Sequence, residues 1–290
     1  MMIKSESRAM RLFKKIGLGS IAWSLRRLYC PVKKTDLVLE VGSGGNPYFR
    51  ANILCDAYIE TQERFFTSLI YDRPTIIALA ENLPFKDNAF DFIIASHVLE
   101  HSSNPQKFLS ELQRVGKAGY IETPDAVMER LTHYTFHRLE ITQRAEKLII
   151  RKKKNYIQDK ELAELFDNKA IKTFPELISK HPFDFHIRYY WSKDNGGIKY
   201  KITNPKYKFD WDLPTFKKET LNNKFNLKVF LKTQILFLIR KLFSQNKRNR
   251  QIDIRKLIFC GQCKKDVFEL KEAHIVCQNC RQKYLVYGIK

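Results

Sequence analysis

One stretch of the chain, DLVLEVGSGGNPYFRANILCD (residues 36–56), constrains the fold more than any other. It begins with a short apolar run, residues 37–41, that stops at a glycine-rich turn, and a second apolar run ends at Asp56. A short, continuous apolar run bounded by glycine is typical of a buried strand in a parallel sheet. Ligands of such sheets bind at the carboxyl ends of the strands, so the stretch predicts a ligand site at this turn.

The residues that follow repeat this pattern. Apolar runs at 75–79, 90–96 and 119–123 have the length of strands, and residues 104–118 have the apolar spacing of a helix. Strands that alternate with helices build parallel sheets. With 44% hydrophobic residues among 290, the chain can bury a large core. The sequence therefore predicts an α/β fold with a Rossmann-like, mostly parallel sheet.

The turn itself reads GSGGNP (residues 42–47). A dinucleotide fingerprint needs glycine at the sixth position, followed by a helix whose N-terminus binds the pyrophosphate. Here the sixth position is Pro47, and the short distance to Asp56 leaves room for a stub of helix at most. Both features argue against a pyrophosphate cofactor.

A later segment, ALAENLPFKDNAFDFIIASHVLEH (residues 78–101), completes a recognisable order of motifs. Together with the glycine turn and Asp56, it resembles class I (Rossmann-like) S-adenosylmethionine-dependent methyltransferases, in their small-molecule (type 11-like) branch. The resemblance covers roughly residues 35–125. It implies S-adenosylmethionine as the cofactor and methyl transfer as the reaction.

The resemblance also implies roles for the first two strand ends. Glu40 corresponds to the acid near the methionine amino group, and Gly42 and Gly44 to the turn on which the methionyl part lies. Asp56 corresponds to the acid that accepts hydrogen bonds from both ribose hydroxyls.

Ala80 and Glu81 correspond to the segment along the adenine edge, and Ser96 ends the strand beside the transferable methyl group. The sequence departs from the family at Leu79, where an Asp is common, so adenine contacts must come from backbone groups or Glu81.

Methyl transfer to a hydroxyl gains from a general base. His97 directly follows the fourth predicted strand and is the first candidate, with a packing role as the alternative; Asp125, after the fifth strand, is the second. Other titratable side chains near the strand ends are Glu122, His101, His133 and His137.

Residues 125–180 do not fit the sheet pattern and are predicted to form a partly helical, basic insertion that caps the substrate. Residues 183–191 and 198–203 flank the turn SKDNGG and predict an antiparallel hairpin that completes the sheet. The aromatic residues of this hairpin suit either sugar stacking or the buried side of a strand.

The last part of the chain carries two Cys-x2-Cys pairs, Cys260 with Cys263 and Cys277 with Cys280. Two such pairs predict a closed structural Zn²⁺ site in a small C-terminal zinc ribbon, whose folding depends on the metal. The tail, with its closing YLVYGI, resembles the zinc-ribbon activator subunit of tRNA and translation-factor methyltransferases. Free thiols in this arrangement indicate a reducing, cytoplasmic location.

The charge of the chain is uneven. Residues 35–142 carry a net charge of −6, whereas residues 1–34 carry +8 and residues 143–260 carry +16. We therefore predict a basic amphipathic N-terminal segment (1–34), a methyltransferase domain (35–215), a basic amphipathic linker or helix (216–255) and the ribbon (256–290). Basic flanks suit an acidic partner, either nucleic acid or the inner face of a membrane.

Three functions remain open from the sequence. The first is O-methylation of a sugar, glycan or other small-molecule hydroxyl. The second is methylation of RNA or a translation factor, suggested by the ribbon and the basic flanks, although SHVL (residues 96–99) stands where an amino-methylation motif of the Asn/Asp-Pro-Pro-Tyr type would be. The third is a binding module without catalysis.

Overall fold

The structure is a computed structural model, and it describes residues 5–64, 66–214, 234–235 and 238–288. Its helices include α1 Arg8–Lys15, α2 Gly19–Leu25, α3 Pro105–Val115, α4 Ala126–Thr132, α5 Lys160–Lys169, α6 Phe174–Lys180, α7 Pro182–Phe185 and α8 Asn246–Asn249. Its strands include β1 Val38–Val41, β2 Ile53–Asp56, β3 Thr75–Ile77, β4 Phe92–Ser96, β5 Ala118–Pro124, β6 Leu139–Arg144, β7 Lys147–Lys152, β8 His186–Ser192, β9 Tyr200–Ile202, β10 Phe268–Lys271, β11 His274–Cys277 and β12 Lys283–Tyr287.

The central sheet has the order β10-β11-β12-β3-β2-β1-β4-β5-β8. Strands β1 to β5 are mutually parallel, and they are the five apolar runs of the sequence. Their carboxyl ends therefore meet at one edge of the sheet, which confirms the predicted α/β architecture. Residues 42–52, between β1 and β2, form turns and no helix.

The core lies on both faces of this sheet because side chains alternate along each strand. Leu39 and Val41 pack in the larger hydrophobic cluster, while Val38 packs with Tyr48 in a second cluster on the other face. Helix α3 adds its predicted apolar stripe to the larger cluster, with the four side chains Phe108, Leu109, Leu112 and Val115 all buried.

The antiparallel end of the sheet is confirmed, with one correction. Strand β8 pairs antiparallel with β5 along its whole length, from Ala118 opposite Ser192 to Pro124 opposite His186. The second strand of the predicted hairpin, β9, does not pair with β8. It lies parallel to β7 in a separate sheet of order β6-β7-β9. The free edge of β5 is thus a stronger partner for β8 than the neighbouring strand in sequence.

The predicted insertion, residues 125–180, is less helical than its composition suggests. Helices α4, α5 and α6 are present, but β6 and β7 form an antiparallel hairpin between them. Leu148 and Ile150 alternate with more exposed residues along β7, which is the pattern of a strand. The aromatic residues Tyr189 and Trp191 of β8 are buried in the core, so they take the packing role that the sequence left open.

The N-terminal basic segment is tied to the sheet by one buried ion pair. Arg26, just after α2, donates from Nε and Nη2 to the two carboxylate oxygens of Glu122 in β5, at 2.7 and 3.1 Å. Glu122 is completely buried, so losing this partner would leave a charge inside the protein.

The segment predicted to form the ribbon continues the central sheet. Its last strand, β12, pairs antiparallel with β3, so that Val286 lies opposite Ile76 and Tyr287 opposite Thr75. Half of the predicted linker, residues 216–233 with 236 and 237, lies outside the described residues. After it, Asn249 of α8 accepts a hydrogen bond from Asn52, which holds the chain against the sheet before the ribbon begins.

Among the residues that the structure describes, none of the helices has the length and apolar character needed to cross a membrane.

Candidate functional site

A cleft of about 250 Å³ opens at the carboxyl ends of β1, β2 and β4, where the sequence predicts the ligand. Six of the predicted site residues line it, together with His97. The six are Glu40, Gly42, Gly44, Asp56, Ala80 and Ser96. The cleft therefore brings together groups from separate strand ends, as the parallel sheet requires.

The glycine turn closes one side of the cleft. Gly42 has a φ of +70°, and a Cβ added there would lie 2.7 Å from the side chain of Val98. Only glycine fits this left-handed, crowded position without strain. The backbone N–H groups of Gly42 and Ser43 both donate to the carbonyl oxygen of Cys55, at 2.8 and 3.2 Å, which fastens the turn to the end of β2.

Asp56 is held ready by three donors. Its Oδ2 accepts from the N–H of Gly44 at 2.9 Å, and its Oδ1 accepts from the N–H of Tyr58 and from Nη1 of Arg64, both at 3.1 Å. Arg64 also lines the cleft. A hydroxyl ligand of Asp56 must share the carboxylate with Arg64 or displace it.

Glu40 is buried at the end of β1, with 2% of its surface exposed. Burial raises the pKa of its carboxyl group to about 8, although the Arg27 charge and a hydrogen bond from the N–H of Tyr48 at 2.7 Å oppose this rise. An uncharged carboxyl in a cleft is ready to ionise when a cation binds beside it.

Glu40→Gln is expected to stabilise the protein at pH 8. The folded carboxyl keeps its proton up to about pH 8, whereas an unfolded glutamate loses it near pH ~4.3, so wild-type stability falls as the pH rises between these values. The glutamine removes this loss and raises Tm at pH 8 by roughly 3–6 °C. Thermal melts of both proteins from pH 5 to 8 measure the effect.

The matched control for that comparison is Glu164→Gln, an exposed glutamate of α5, whose Tm difference from wild type should not change with pH. Equal Tm values for wild type and Glu40→Gln at every pH would contradict the buried, neutral state of Glu40.

His97 stands at the end of β4 between two glutamates. Its φ of +55° is unusual for a residue with a side chain and turns the imidazole toward the cleft. Nδ1 lies 3.4 Å from Glu100 and Nε2 lies 3.2 Å from Glu122. The imidazole is 37% exposed at the cleft, and its desolvation opposes a charge, but the nearby carboxylates of Glu100 and Glu122 raise the pKa of His97 to about 9.

Glu122 is the carboxylate that the side chains around His97 share. Besides Arg26 and His97, the hydroxyl groups of Ser96 and Tyr120 donate to its carboxylate. Burial opposes ionisation, yet hydrogen bonding with His97 and the charge of Arg26 hold the pKa of Glu122 well below its usual range. A fixed negative charge therefore lies directly behind His97.

Two predicted site residues lie outside the lining of the cleft. Asp125 is the N-cap of α4, where its Oδ1 accepts from the N–H of Val127 at 3.0 Å and its Oδ2 from the hydroxyl of Thr142 at 2.7 Å. Glu81 accepts a hydrogen bond from Ser102 at 2.6 Å. Both carboxylates thus have contacts within the fold.

Other residues of the cleft were not predicted from the sequence. They include Arg27, Tyr58, Glu63 and Arg64. No motif marks them, because their side chains arrive from the N-terminal segment and from the loop after β2. The only available signal is that residues 57–64 follow the end of a strand, where ligand-binding loops occur.

The four predicted cysteines form a single cluster, in which the sulfur atoms all lie within 4.8 Å of one another. Sγ of Cys260 lies 3.3 Å from that of Cys280, and Sγ of Cys263 lies 3.6 Å from that of Cys277. Tetrahedral zinc with Zn–S bonds of ~2.3 Å needs sulfur separations of about 3.8 Å, so the cluster has a suitable size.

The backbone around the two cysteine pairs is the same in each. In the first pair, the N–H of Cys260 donates to Lys265 and the N–H of Lys264 donates to Cys260. The second pair repeats both hydrogen bonds at residues 277, 281 and 282, and Lys264 and Arg281 share a φ near +60°, at 61° and 62°. Two equivalent turns that present thiols to one point suit a closed metal site.

Comparison with known proteins supports a methyltransferase. Residues 54–121, which run from β2 to the start of β5, match the family model described as a methyltransferase domain. This segment contains Asp56 and the motif with His97. The match, in a Rossmann-like sheet whose cleft holds the expected acids, supports an S-adenosylmethionine-dependent methyltransferase domain in this part of the chain.

One curated relative matches a shorter stretch of the chain than the family model does. An uncharacterized protein of Methanocaldococcus jannaschii is 52% identical over 44 residues, which are 15% of this chain and 22% of that protein. The chain thus spans about a fifth of the curated relative's length, 22%.

Three solved structures are similar. A methyltransferase of Thermotoga maritima shares 20% identity over 41% of this chain and 57% of its own, with a TM-score of 0.28. A complex of the Haloferax volcanii Trm112 methyltransferase activator with a methyltransferase gives 15% identity, 48% and 75% coverage and a TM-score of 0.31. The YcgJ protein of Bacillus subtilis shares 18% identity over 56% of this chain and 82% of its own, with a TM-score of 0.30.

Proposed function

We propose that this chain is an S-adenosylmethionine-dependent methyltransferase that transfers a methyl group to a hydroxyl of a small molecule, with sugars and glycans as the first acceptors to test. The observation that carries the proposal is the position of Glu40, Asp56 and the glycine turn in one cleft, next to a segment that matches a methyltransferase domain.

The residues of the cleft fit this cofactor. Glu40 is a buried acid suited to the amino group, and its carboxyl would ionise beside that cation. Asp56 has the two oxygens that a ribose diol requires. The crowded turn at Gly42 and Gly44 would let the methionyl part approach the backbone. When bound, the cofactor supplies an electrophilic methyl group on a sulfonium.

His97 is the proposed contact for the acceptor, because it alone of the two predicted catalytic residues lines the cleft. With Glu122 beside its Nε2, the imidazole is positioned to orient the acceptor oxygen toward the methyl group, and the low pKa of Glu122 makes that carboxylate a charge partner of His97 and not a proton acceptor. Asp125, capping α4, is given no such role here.

The hydroxyl acceptor is supported by the residues after β4. The sequence SHVL (residues 96–99) lacks the Asn/Asp-Pro-Pro-Tyr arrangement that holds an amino acceptor. Zinc in the four-cysteine cluster is proposed as a structural ion, since four thiolates leave it no open coordination position.

RNA methylation is the second candidate, favoured by the net charge of +16 in residues 143–260. Binding of RNA that weakens steeply with salt would support it. Contact with the inner face of a membrane stays a prediction from the basic segments.

The experiment that tests the proposal is calorimetric titration of the zinc-loaded protein with S-adenosylmethionine and, separately, with NAD. We expect micromolar binding of S-adenosylmethionine and none of NAD, because the turn has proline in place of the third glycine. Binding of NAD alone would contradict the proposal, and binding of neither would favour a module without catalysis.

A further inference from the structure

A second cluster of metal-binding side chains lies beside the cleft, apart from the four cysteines. Glu100, His101 and His137 each offer one ligand atom, and these three atoms lie within 4.8 Å of one another. Two imidazoles and a carboxylate are a common ligand set for divalent transition metals. Of the three, His101 lines the cofactor cleft, so the cluster lies at the edge of the cleft.

The fold holds the three residues together. Glu100 and His101 belong to a single 3₁₀ turn, Leu99–His101, that follows β4. His137 comes from the loop between α4 and β6, and the next residue fixes that loop to the turn. The N–H of Arg138 donates to the carbonyl oxygen of Glu100 at 2.8 Å. The cluster is thus a product of backbone pairing between segments far apart in sequence.

The ring of His137 is oriented by a carboxylate on its far side. Its Nδ1 lies 2.6 Å from Glu129, and the other oxygen of Glu129 accepts from Nζ of Lys153 at 3.0 Å. Because Nδ1–H is donated to Glu129, the lone pair is on Nε2. A carboxylate that orients a histidine in this way is the usual outer partner of a metal-bound imidazole.

The ring of His101 carries its hydrogen on the same nitrogen as that of His137. Its Nδ1 lies 3.3 Å from the carbonyl oxygen of Phe136 and 3.5 Å from the carboxylate of Glu63. Both oxygen atoms act as acceptors, so Nδ1 is the nitrogen that carries the hydrogen. The hydrogen on Nδ1 again leaves the lone pair on Nε2. The two rings lie edge to face, with centroids 4.7 Å apart.

The buried carboxylate of Glu100 is a second observation that points to a bound cation. Its side chain is 1% exposed, yet neither carboxylate oxygen has a hydrogen-bond partner in the part of the chain that the structure describes. Its contact with Nδ1 of His97, at 3.4 Å, is a long ionic one. A buried carboxylate without hydrogen bonds is costly; the charge of His97 offsets part of this cost, and a cation bound directly to the carboxylate would offset the rest.

We propose that Glu100, His101 and His137 bind a divalent first-row transition-metal ion at the edge of the cofactor cleft. Two imidazole nitrogens favour such an ion over Mg²⁺, which prefers oxygen ligands. With bonds of ~2.0–2.2 Å, the ligand atoms would sit about 3–3.5 Å apart, which the side chains reach by closing about 1–2 Å. Three protein ligands leave coordination positions open.

The use of this ion rests on the proposed function. An open position next to the methyl-transfer site would bind the acceptor oxygen, and the metal would lower the pKa of that hydroxyl. The acceptor proton would then leave to a nearby base as the oxygen bonds to the methyl carbon and the carbon–sulfur bond breaks. The acceptor class becomes a hydroxyl compound able to coordinate a metal.

The test is titration with Co²⁺ of the full-length protein that holds one equivalent of Zn²⁺ in its four cysteines, followed by calorimetry and visible absorption, without cofactor or acceptor. We expect one equivalent of Co²⁺ with d–d bands and no thiolate-to-cobalt charge-transfer band. Glu100→Gln and His137→Ala should each weaken binding by at least ~100-fold, and Glu129→Gln, which removes the orienting carboxylate, by ~10–100-fold.

His181→Ala is the matched control, because that histidine is 58% exposed and outside the cluster; it should bind Co²⁺ as wild type does. His101→Ala, at the more open edge, is a further variant if the buried ones melt early. No added Co²⁺ bound by the wild type, or equal affinity in folded ligand variants, would overturn the site. Cofactor binding is measured separately, so loss of the metal site and loss of the proposed function are distinguishable.

Discussion

Asp56→Ala should weaken S-adenosylmethionine binding by at least about 100-fold, the largest effect expected for a single residue of the cleft. The substitution removes two hydrogen bonds to a charged group, each worth ~1.5–3 kcal/mol. It also leaves Arg64, whose Nη1 lies 3.1 Å from Asp56, without its carboxylate partner inside the cleft. That unpaired guanidinium would repel a sulfonium cofactor. Calorimetric titration of the variant and the wild type measures the loss.

Two further variants isolate the cause. Asp56→Asn keeps the size of the side chain but removes its charge, so it should bind weakly while its melting temperature stays close to that of wild type. Asp87→Ala removes a carboxylate that is 71% exposed and should leave cofactor binding unchanged. If Asp56→Asn bound the cofactor as tightly as wild type, Asp56 would not be the ribose acid.

Cys263→Ser should abolish zinc binding in the ribbon and lower Tm by roughly 10 °C or more, because a structural zinc is worth ~10–16 kcal/mol and 1 kcal/mol shifts Tm by about 2–4 °C. The effect is expected to reach the main domain. Strand β12 pairs with β3, so an unfolded ribbon would expose the edge of β3 in the central sheet. Thermal melts and light scattering would record lower stability and association.

The readout for the metal itself is cobalt substitution. The wild-type ribbon should give a strong thiolate-to-cobalt charge-transfer band, and Cys263→Ser a much weaker one. Cys30→Ser, a cysteine far from the cluster in sequence, should keep the full band. A wild-type melting curve that strong chelators leave unchanged would show that the cluster holds no structural ion.

The parallel half of the sheet could be predicted because each strand is a short apolar run that ends at a turn residue. Such runs are typical of strands buried on both faces, and parallel strands place their ends at one edge. That is why Glu40, Asp56 and His97 could be placed together from the sequence. The cysteine spacing is equally local, since each pair forms its own turn.

Edge pairing could not be predicted in the same way. The turn at residues 192–197 suggests that β8 and β9 pair with each other, yet the backbone groups of β5 offer β8 a longer partner. The residues of β7 read as part of a basic, partly helical insertion because Lys and Arg are as numerous as its apolar residues. Local patterns do not specify which strand edge is free.

The sequence by itself determined the parallel strands, the glycine turn, the acids at the strand ends and the paired cysteines, because each depends on residues close together in the chain. Only the tertiary structure decided what surrounds them. Arg26 reaches Glu122 across 96 positions, β12 finds β3, and His137 arrives beside Glu100 through the backbone of Arg138. These contacts join segments that are far apart in the sequence. Their positions in space depend on how the whole sheet packs, and a short stretch of sequence does not specify that packing.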